Sequence, residues 1–333
     1  VGPLVRWSLG PARTVTVWGQ NAKGPQPLPM IIHFGTASLN AEWKASIVCL
    51  GVFDGVHLGH RSLIEPAVRQ AKEREIPSVA VTFDRNPLAL LRPESSPKAL
   101  CSLDQKLEWL AALGLSACVV LPFDLTLSQM SAQEFLDLVL RERLKAVKLL
   151  IGHDFAFGRG REGDAAWLSG RIDAESAPPF ALEGARVSSS VIRRLVAAGE
   201  VERAGLKLGR PFALRGVVVA GQKLGRTLGF PTLNLAFSSD LALPADGVYA
   251  AWAETPLGRF MAGVSIGMRP TVDGRHRTTE AFLIDYPGDS IYSAPVALEF
   301  HSRIREEKKF SSLEELVEQM GRDIGECRIR LQE

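Results

Sequence analysis

Apolar positions between residues 47 and 151 come in short blocks separated by longer stretches of helical spacing. Ser46-Ile47-Val48-Cys49-Leu50, Ser78-Val79-Ala80-Val81-Thr82-Phe83, and the runs at 117–121 and 147–151 have strand character, the second of them that of a buried strand. Met30 precedes a further strand-like run, Ile31-Ile32-His33-Phe34. Between the blocks lie a helical segment at 60–74, one that carries Asp104, Leu107, Leu110 and Ala111 on its pattern, and one at 131–144. Ser131 opens the last of these with Glu134 at capping-box spacing. Strands separated by such helices mean βαβ units and a parallel sheet. Ligands gather beyond the carboxyl ends of such strands, near the reversal of strand order. The turns at 51–60, 84–87 and 152–158 each follow a strand and are expected on one edge.

The grammar changes near residue 209. A helical stretch that starts at Ser190 ends at Gly209 and Pro211, which together make a stop. Beyond it come short β-like runs at 213–219, 248–252, 259–266, 279–284 and 296–300, with Gly, Pro and Asp/Asn clusters between them. This reads as an all-β barrel or sandwich. An amphipathic helix follows, with Leu313, Leu316, Val317, Met320 and Ile324 on one stripe and Ser312 and Glu315 at its start. It is expected to pack over the barrel. Residues 1–29 stand apart: Pro3, Pro11, Pro25, Pro27 and Pro29, no acidic residue, and Arg6, Arg13 and Lys23 as the only charges. They are expected to be disordered or a non-authentic extension. The expected domains are 30–208 and 209–333.

Two stretches carry chemistry. In Gly51-Val52-Phe53-Asp54-Gly55-Val56-His57-Leu58-Gly59-His60, the glycines Gly51, Gly55 and Gly59 lack side-chain bulk and can take positive φ. His57 and His60 share a face at a helix start, where exposed N–H groups attract phosphate and imidazoles can follow charge onto a leaving group. Half of a metal site is the competing reading, although no Glu lies between the histidines. The second stretch is a strand followed by a loop with Gly221, Lys223, Gly225, Arg226 and Gly229. Pro231 then rigidifies a turn that presents Thr232 and Asn234. Such a loop can fold over phosphates, and Thr232 and Asn234 offer oxygen ligands to Mg²⁺. A structural hairpin is the alternative. Ser188, Ser189 and Arg193 combine short hydroxyls at a helix start with a charged fork, which is also how an ordinary N-cap with a surface Arg looks. Asp154 can accept a hydrogen bond, and Phe155 and Phe157 could form an apolar wall or simply core.

Composition narrows the field. The 333 residues are 46% hydrophobic and 23% charged with a net charge of +2, a globular balance that argues for neither a nucleic-acid nor a membrane partner. The four cysteines have no CxxC spacing, which fits a reducing, cytoplasmic setting. No apolar run is long enough to span a bilayer.

The string at 51–60 resembles the HxGH signature of nucleotidyltransferases in the form used by bacterial bifunctional riboflavin kinase/FMN adenylyltransferases (FAD synthetases). Gly152-His153-Asp154-Phe155-Ala156-Phe157-Gly158 is similar to that family's GxDFxFG, and Ser188 to Arg193 to its SSTxIR. The stretch 216–235 resembles the flavokinase signature almost letter for letter. Pro244 to Ala250 resembles PxxGVYA, residues 266–271 resemble IGxRPT with Ser265 where Asn is commoner, and 300–310 resembles FxxxIREExKF. The turn at 84–90 departs: Arg85 stands where the family has Pro, and Leu88-Ala89-Leu90 follows. The resemblance implies an N-terminal Rossmann-like nucleotidyltransferase domain of the α/β class and a C-terminal riboflavin-kinase-like β-barrel with a terminal helix. It implies MgATP-dependent phosphorylation of riboflavin to FMN, then AMP transfer from ATP to FMN giving FAD and pyrophosphate. By the same resemblance Glu280 is the general base. His57, His60 and Asn234 are catalytic. Gly51, Phe53, Asp54, Gly55, Gly59, Ser188, Ser189, Arg193 and the 221–232 loop bind ATP. Asn86, Asp154, Phe155, Phe157, Arg303 and Arg305 lie near flavin. The alternative is a riboflavin kinase whose N-terminal half only binds nucleotide or flavin. An RNA-directed enzyme is disfavoured by the near-neutral charge and the flavokinase half. The sequence leaves oligomeric state open, a homo-oligomer included.

Overall fold

The computed structural model describes residues 13–15, 30–36, 43–220, 230–271, 274–287 and 291–332. They form two compact units, one of residues up to 99 with 103–187, the other of residues 100–102 and 188–332.

The first unit is built on β1 (Arg13–Val15), β2 (Met30–Phe34), β3 (Ser46–Leu50), β4 (Ser78–Phe83), β5 (Ala117–Leu121), β6 (Ala146–Gly152) and β7 (Asp173–Ala177). They lie in the order β1-β2-β5-β4-β3-β6-β7. All pairings from β2 to β7 are parallel, and only β1 runs antiparallel. The helices are α1 (Leu58–Glu73), α2 (Leu88–Leu91), α3 (Leu103–Ala112), α4 (Leu125–Gln129), α5 (132–143) and α6 (Ala165–Leu168). Side chains alternate across a strand, so Ile47 and Cys49 meet Leu63, Ile64 and Ala67 of α1 and Leu107 and Leu110 of α3. Val48 and Leu50 meet Phe135, Leu136, Val139 and Leu140 of α5 on the other face. Cover on both faces explains why β3 and β5 are wholly buried. Burial in this sheet pushes the Cys49 and Cys118 thiols up to about 12, so neither offers a thiolate near neutral pH. The Ser131–Glu134 capping box forms in both directions. β7 is an exposed edge strand, where Glu175 meets Lys148 of β6 at 2.9 Å. A small hairpin, β8 (Ala181–Leu182) with β9 (Ala185–Arg186), follows it.

The second unit opens with α7 (Ser189–Ala197) and α8 (Val201–Leu208). The sequence predicts one helical stretch here. The structure breaks it at Gly199, whose φ of 79° suits a glycine. A Cβ at Gly199 would stand 2.8 Å from Tyr249 Oη and 3.1 Å from Arg303 Cδ. Tyr249 is itself fully buried and donates to Ala245 O at 2.6 Å. Gly199→Ala is therefore expected to cost about 1–3 kcal/mol in urea denaturation, combining strain with a clash. An unchanged midpoint would show that the turn relaxes freely.

Six strands then close into an antiparallel barrel in the order β10-β11-β14-β13-β12-β15: β10 (Phe212–Val219), β11 (Thr232–Ala236), β12 (Gly247–Thr255), β13 (Gly258–Thr271), β14 (Gly274–Leu283) and β15 (Pro295–Arg305). Closure decides between barrel and sandwich and removes the sheet edges. The last helix, α9 (Leu313–Gln332), lies on the barrel with its second half innermost. Leu313 is 55% exposed, whereas Asp323 and Cys327 are buried. Ile324, Cys327 and Leu331 pack with Met261, Phe282 and Ile304.

Candidate active sites

In the first unit, β3 pairs with β4 on one side and β6 on the other, so strand order reverses there. The turns after β6, β3 and β4 thus follow neighbouring strands on the carboxyl edge, where an α/β sheet binds ligands. The turn after β3 is strained. Phe53 (φ 51°) and Val56 (φ 37°) share the left-handed region with Gly55 (φ 76°), unusual for a bulky and a β-branched residue. Of the three glycines able to take positive φ, only Gly55 does so. Gly51 and Gly59 make room instead: Cβ atoms there would come within 2.8 Å of the Phe53 ring and 3.2 Å of the His57 ring.

His57 is the N-cap of α1, and its Nδ1 accepts from His60 N at 3.2 Å. The two imidazoles stack with centroids 3.6 Å apart, and Phe53 meets His60 edge-on at 5.3 Å. His57 and Asp54 are both buried. The first turn of α1 carries no acidic residue, and a helix N-terminus favours an anion. The arrangement can receive an anion.

The other two turns are held by their own side chains. Asp84 Oδ1 accepts from Phe123 N at 2.9 Å, and Asn86 Oδ1 accepts from Leu88 N at 2.9 Å. After β6, Asp154 is exposed and pairs with Arg186 at 2.7 Å. Phe155 is half-buried against Phe157, while Phe157 packs with Phe135 and Trp167 inside the core. A Cβ at Gly158 (φ 75°) would lie 2.5 Å from Ala132 N. Sequence reading missed Lys106 of α3. It is 7% exposed, and its Nζ donates to Phe83 O (2.8 Å), Thr82 Oγ1 (3.2 Å) and Val52 O (3.3 Å). A lysine next to Leu107 in the apolar stripe was the available signal.

In the second unit, Ser188 caps α7, its Oγ accepting from Val191 N at 3.4 Å, and Ser189 and Arg193 follow on that helix. On the barrel, Asn234 of β11 faces Glu280 of β14, which faces Ser265 of β13. Thr279, Ala281 and Leu283 are buried in the barrel, so alternation turns Glu280 to the outer face with Asn234 and Ser265. One row along on that face, Thr232 faces Phe282, which faces Gly263. Phe282 packs with Ile324 and Cys327 of α9 and meets Phe230 edge-on at 5.6 Å. The carboxylate thus stands beside the helix seam. Arg305 is committed to α9: its Nη2 lies 2.7 Å from Asp323 Oδ2 and its Nε 3.0 Å from Oδ1, and Gln319 Nε2 donates to that same Asp323 Oδ1 at 2.8 Å. Arg303 donates from Nη2 to Asp246 O at 2.7 Å and from its backbone to Glu202 Oε1 at 2.9 Å. Gly221, Lys223, Gly225, Arg226 and Gly229 lie outside the described residues; Pro231 is exposed just before β11. Among the described residues no group of three or more His, Cys, Asp or Glu could hold a metal, and no helix is long and apolar enough to cross a membrane.

A glycine turn and paired histidines at the reversal of a parallel sheet, joined to a closed barrel with an Asn–Glu row beside a helix, define a nucleotidyltransferase-type unit coupled to a flavokinase-type barrel. Family models agree in both halves, FAD synthetase over residues 39–191 and riboflavin kinase over residues 208–331. The chain belongs to the bifunctional riboflavin kinase/FMN adenylyltransferase family. It is 36% identical to the Escherichia coli K12 member over 85% of this chain and 92% of that one. The member from Pseudomonas fluorescens is 35% identical over 88% and 96% of the two chains, and that from Bacillus subtilis 32% identical over 86% and 92%. A solved structure described as a macrolide-efflux protein from Streptococcus pneumoniae superposes with a TM-score of 0.81 at 30% identity, covering 90% of this chain and 98% of that one.

Proposed function

We propose that the barrel phosphorylates riboflavin and that the α/β unit adenylylates the product. In the first reaction the terminal ribityl hydroxyl attacks the γ-phosphorus of ATP. The new O–P bond forms as the bond to ADP breaks, and Glu280 takes the hydroxyl proton. The observation that carries this reading is the row Asn234–Glu280–Ser265, which sets the carboxylate beside an amide and a hydroxyl on the outer barrel face. Thr232 and Asn234 stand two apart on one face of β11 and present oxygen, a donor set that suits Mg²⁺ shared with substrate phosphates. When bound, the ion would neutralise phosphate charge. Gly221, Lys223, Gly225, Arg226 and Gly229 are assigned to the same phosphates by the signature they form.

In the second reaction an FMN phosphate oxygen attacks the α-phosphorus of a second ATP, and pyrophosphate leaves with the electron pair of the broken bond. The nucleophile is already an anion, so no base is required. His57 and His60, with the N-terminus of α1, are assigned to the departing pyrophosphate. Asp154 and Phe155 are assigned to the flavin side, with Phe157 as the core residue behind Phe155. Arg303 and Arg305 act on flavin through the Asp246 loop and α9, which they hold. The boundary between the activities is assigned to 208/209, after α8, which Gly209 (φ 71°) ends shortly before β10, although α7 and α8 themselves belong to the compact unit of the barrel. A reducing, cytoplasmic setting is supported by four cysteines that are all free and buried.

The test is incubation of purified protein with riboflavin and MgATP, followed by chromatographic separation of the flavins. FMN and FAD should both appear in sequence. FMN alone would leave a riboflavin kinase with a binding-only N-terminal half. A chain started at Met30 is expected to retain both activities. It loses β1, a three-residue strand remote in sequence from every assigned residue. Inactive or insoluble product would make that strand structural.

A further inference from the structure

We propose that Lys106 is a positioning residue for adenylyl transfer: its buried ammonium locks the strained turn between β3 and α1 to the end of β4. The proposal rests on the reading of that turn as the adenylyl site. A lysine ammonium has three protons and no acceptor, and here three acceptors surround it. Two of them, Thr82 Oγ1 and Phe83 O, belong to the end of β4, and the third, Val52 O, opens the turn after β3. Thr82, itself fully buried, also donates to Val52 O at 3.0 Å. One carbonyl therefore receives two donors, and one nitrogen ties together two neighbouring post-strand turns.

Burying a charge is costly, and an aliphatic side chain would complete the α3 stripe without that cost. The geometry points to what the charge secures. Positive φ at Phe53 and Val56 persists only where the surroundings over-determine the backbone. Val52 is the residue immediately before that strain, and His57, the N-cap of α1, is the residue immediately after it. Fixing Val52 at one end and the helix at the other leaves the turn a single conformation, and with it the stacked His57–His60 pair. Phe83 O holds the start of the 84–87 turn in the same way. These three bonds end on Val52, Thr82 and Phe83, none of them assigned to substrate, and through them Lys106 acts on the two turns.

Lys106→Met keeps the length of the side chain and removes its charge and three bonds. In the full chain, with FMN and MgATP, kcat for FAD formation is expected to fall about tenfold to a hundredfold, the scale of a small misplacement of reacting groups, with KM for ATP changed by less than about twofold. Riboflavin phosphorylation should be unaffected. Thr82→Val leaves the lysine in place, deletes one acceptor and the second donor to Val52, and should lower the same kcat by a smaller factor. It decides the matter if Lys106→Met does not fold. Wild-type kcat in the folded lysine variant, a rise in KM alone, or loss of both activities together with a lowered unfolding temperature would overturn the positioning role. So would wild-type kcat in Thr82→Val when the lysine variant is insoluble. No FAD from the unsubstituted chain would instead overturn the reading of the turn, and this proposal with it.

Discussion

Glu280→Gln is expected to stop FMN formation from riboflavin while FMN added to the same protein is still converted to FAD. Glutamine keeps the size of the side chain and its capacity to hydrogen-bond, so the row Asn234–Glu280–Ser265 can remain assembled. It cannot take up the ribityl proton, and a positioned base is worth about 10²–10⁴ in rate. Glu280 faces outward from the barrel while its neighbours Thr279 and Ala281 are buried, so an unchanged unfolding midpoint should accompany the loss. That combination separates chemistry from folding. A kinase rate within threefold of wild type (about 0.7 kcal/mol) would remove Glu280 from the mechanism. Loss of both reactions would mean that the two activities are not separable by unit.

The regular parts of the fold were legible because their signals are local. β4 and β5 fall where the apolar runs lie, and the Ser131–Glu134 box forms as the spacing implies. What escaped depends on tertiary surroundings. β7 has the sequence Asp-Ala-Glu-Ser-Ala; an edge strand has one neighbour and needs no apolar run. The break between α7 and α8 follows from Gly199 lying under Tyr249 and Arg303, residues far along the chain. The stripe on α9 is half right, since Leu313 points to solvent while Asp323, a charged residue, is buried by its pairing with Arg305.

The candidate sites show the same division. The run 51–60 announces itself because turn glycines and paired histidines are adjacent in sequence. That Asn234 and Glu280 are cross-strand partners could come only from barrel register, which spacing does not encode. Arg305 shows the converse: it lies in a segment similar to the family's flavin-side motif, yet its guanidinium is held by Asp323. Lys106 was hidden for a different reason. A lysine in an amphipathic helix is ordinarily a solvated residue, and only the carbonyls at the ends of β3 and β4 make it a buried one.

His57→Ala combined with His60→Ala is expected to abolish FAD formation while FMN accumulates from riboflavin and MgATP. Each imidazole is a donor poised at the helix end where pyrophosphate charge grows, and removing one such donor costs about 10²–10³ in kcat. The double replacement should therefore fall below detection. Alanine also removes the N-cap that His57 supplies, which by itself would loosen α1 by about 1 kcal/mol. His57→Asn separates the two effects, because asparagine is a strong N-cap without an imidazole. FAD formation should stay severely reduced in His57→Asn while the unfolding midpoint returns toward wild type. If asparagine restores the rate, the histidine serves the helix and not the reaction.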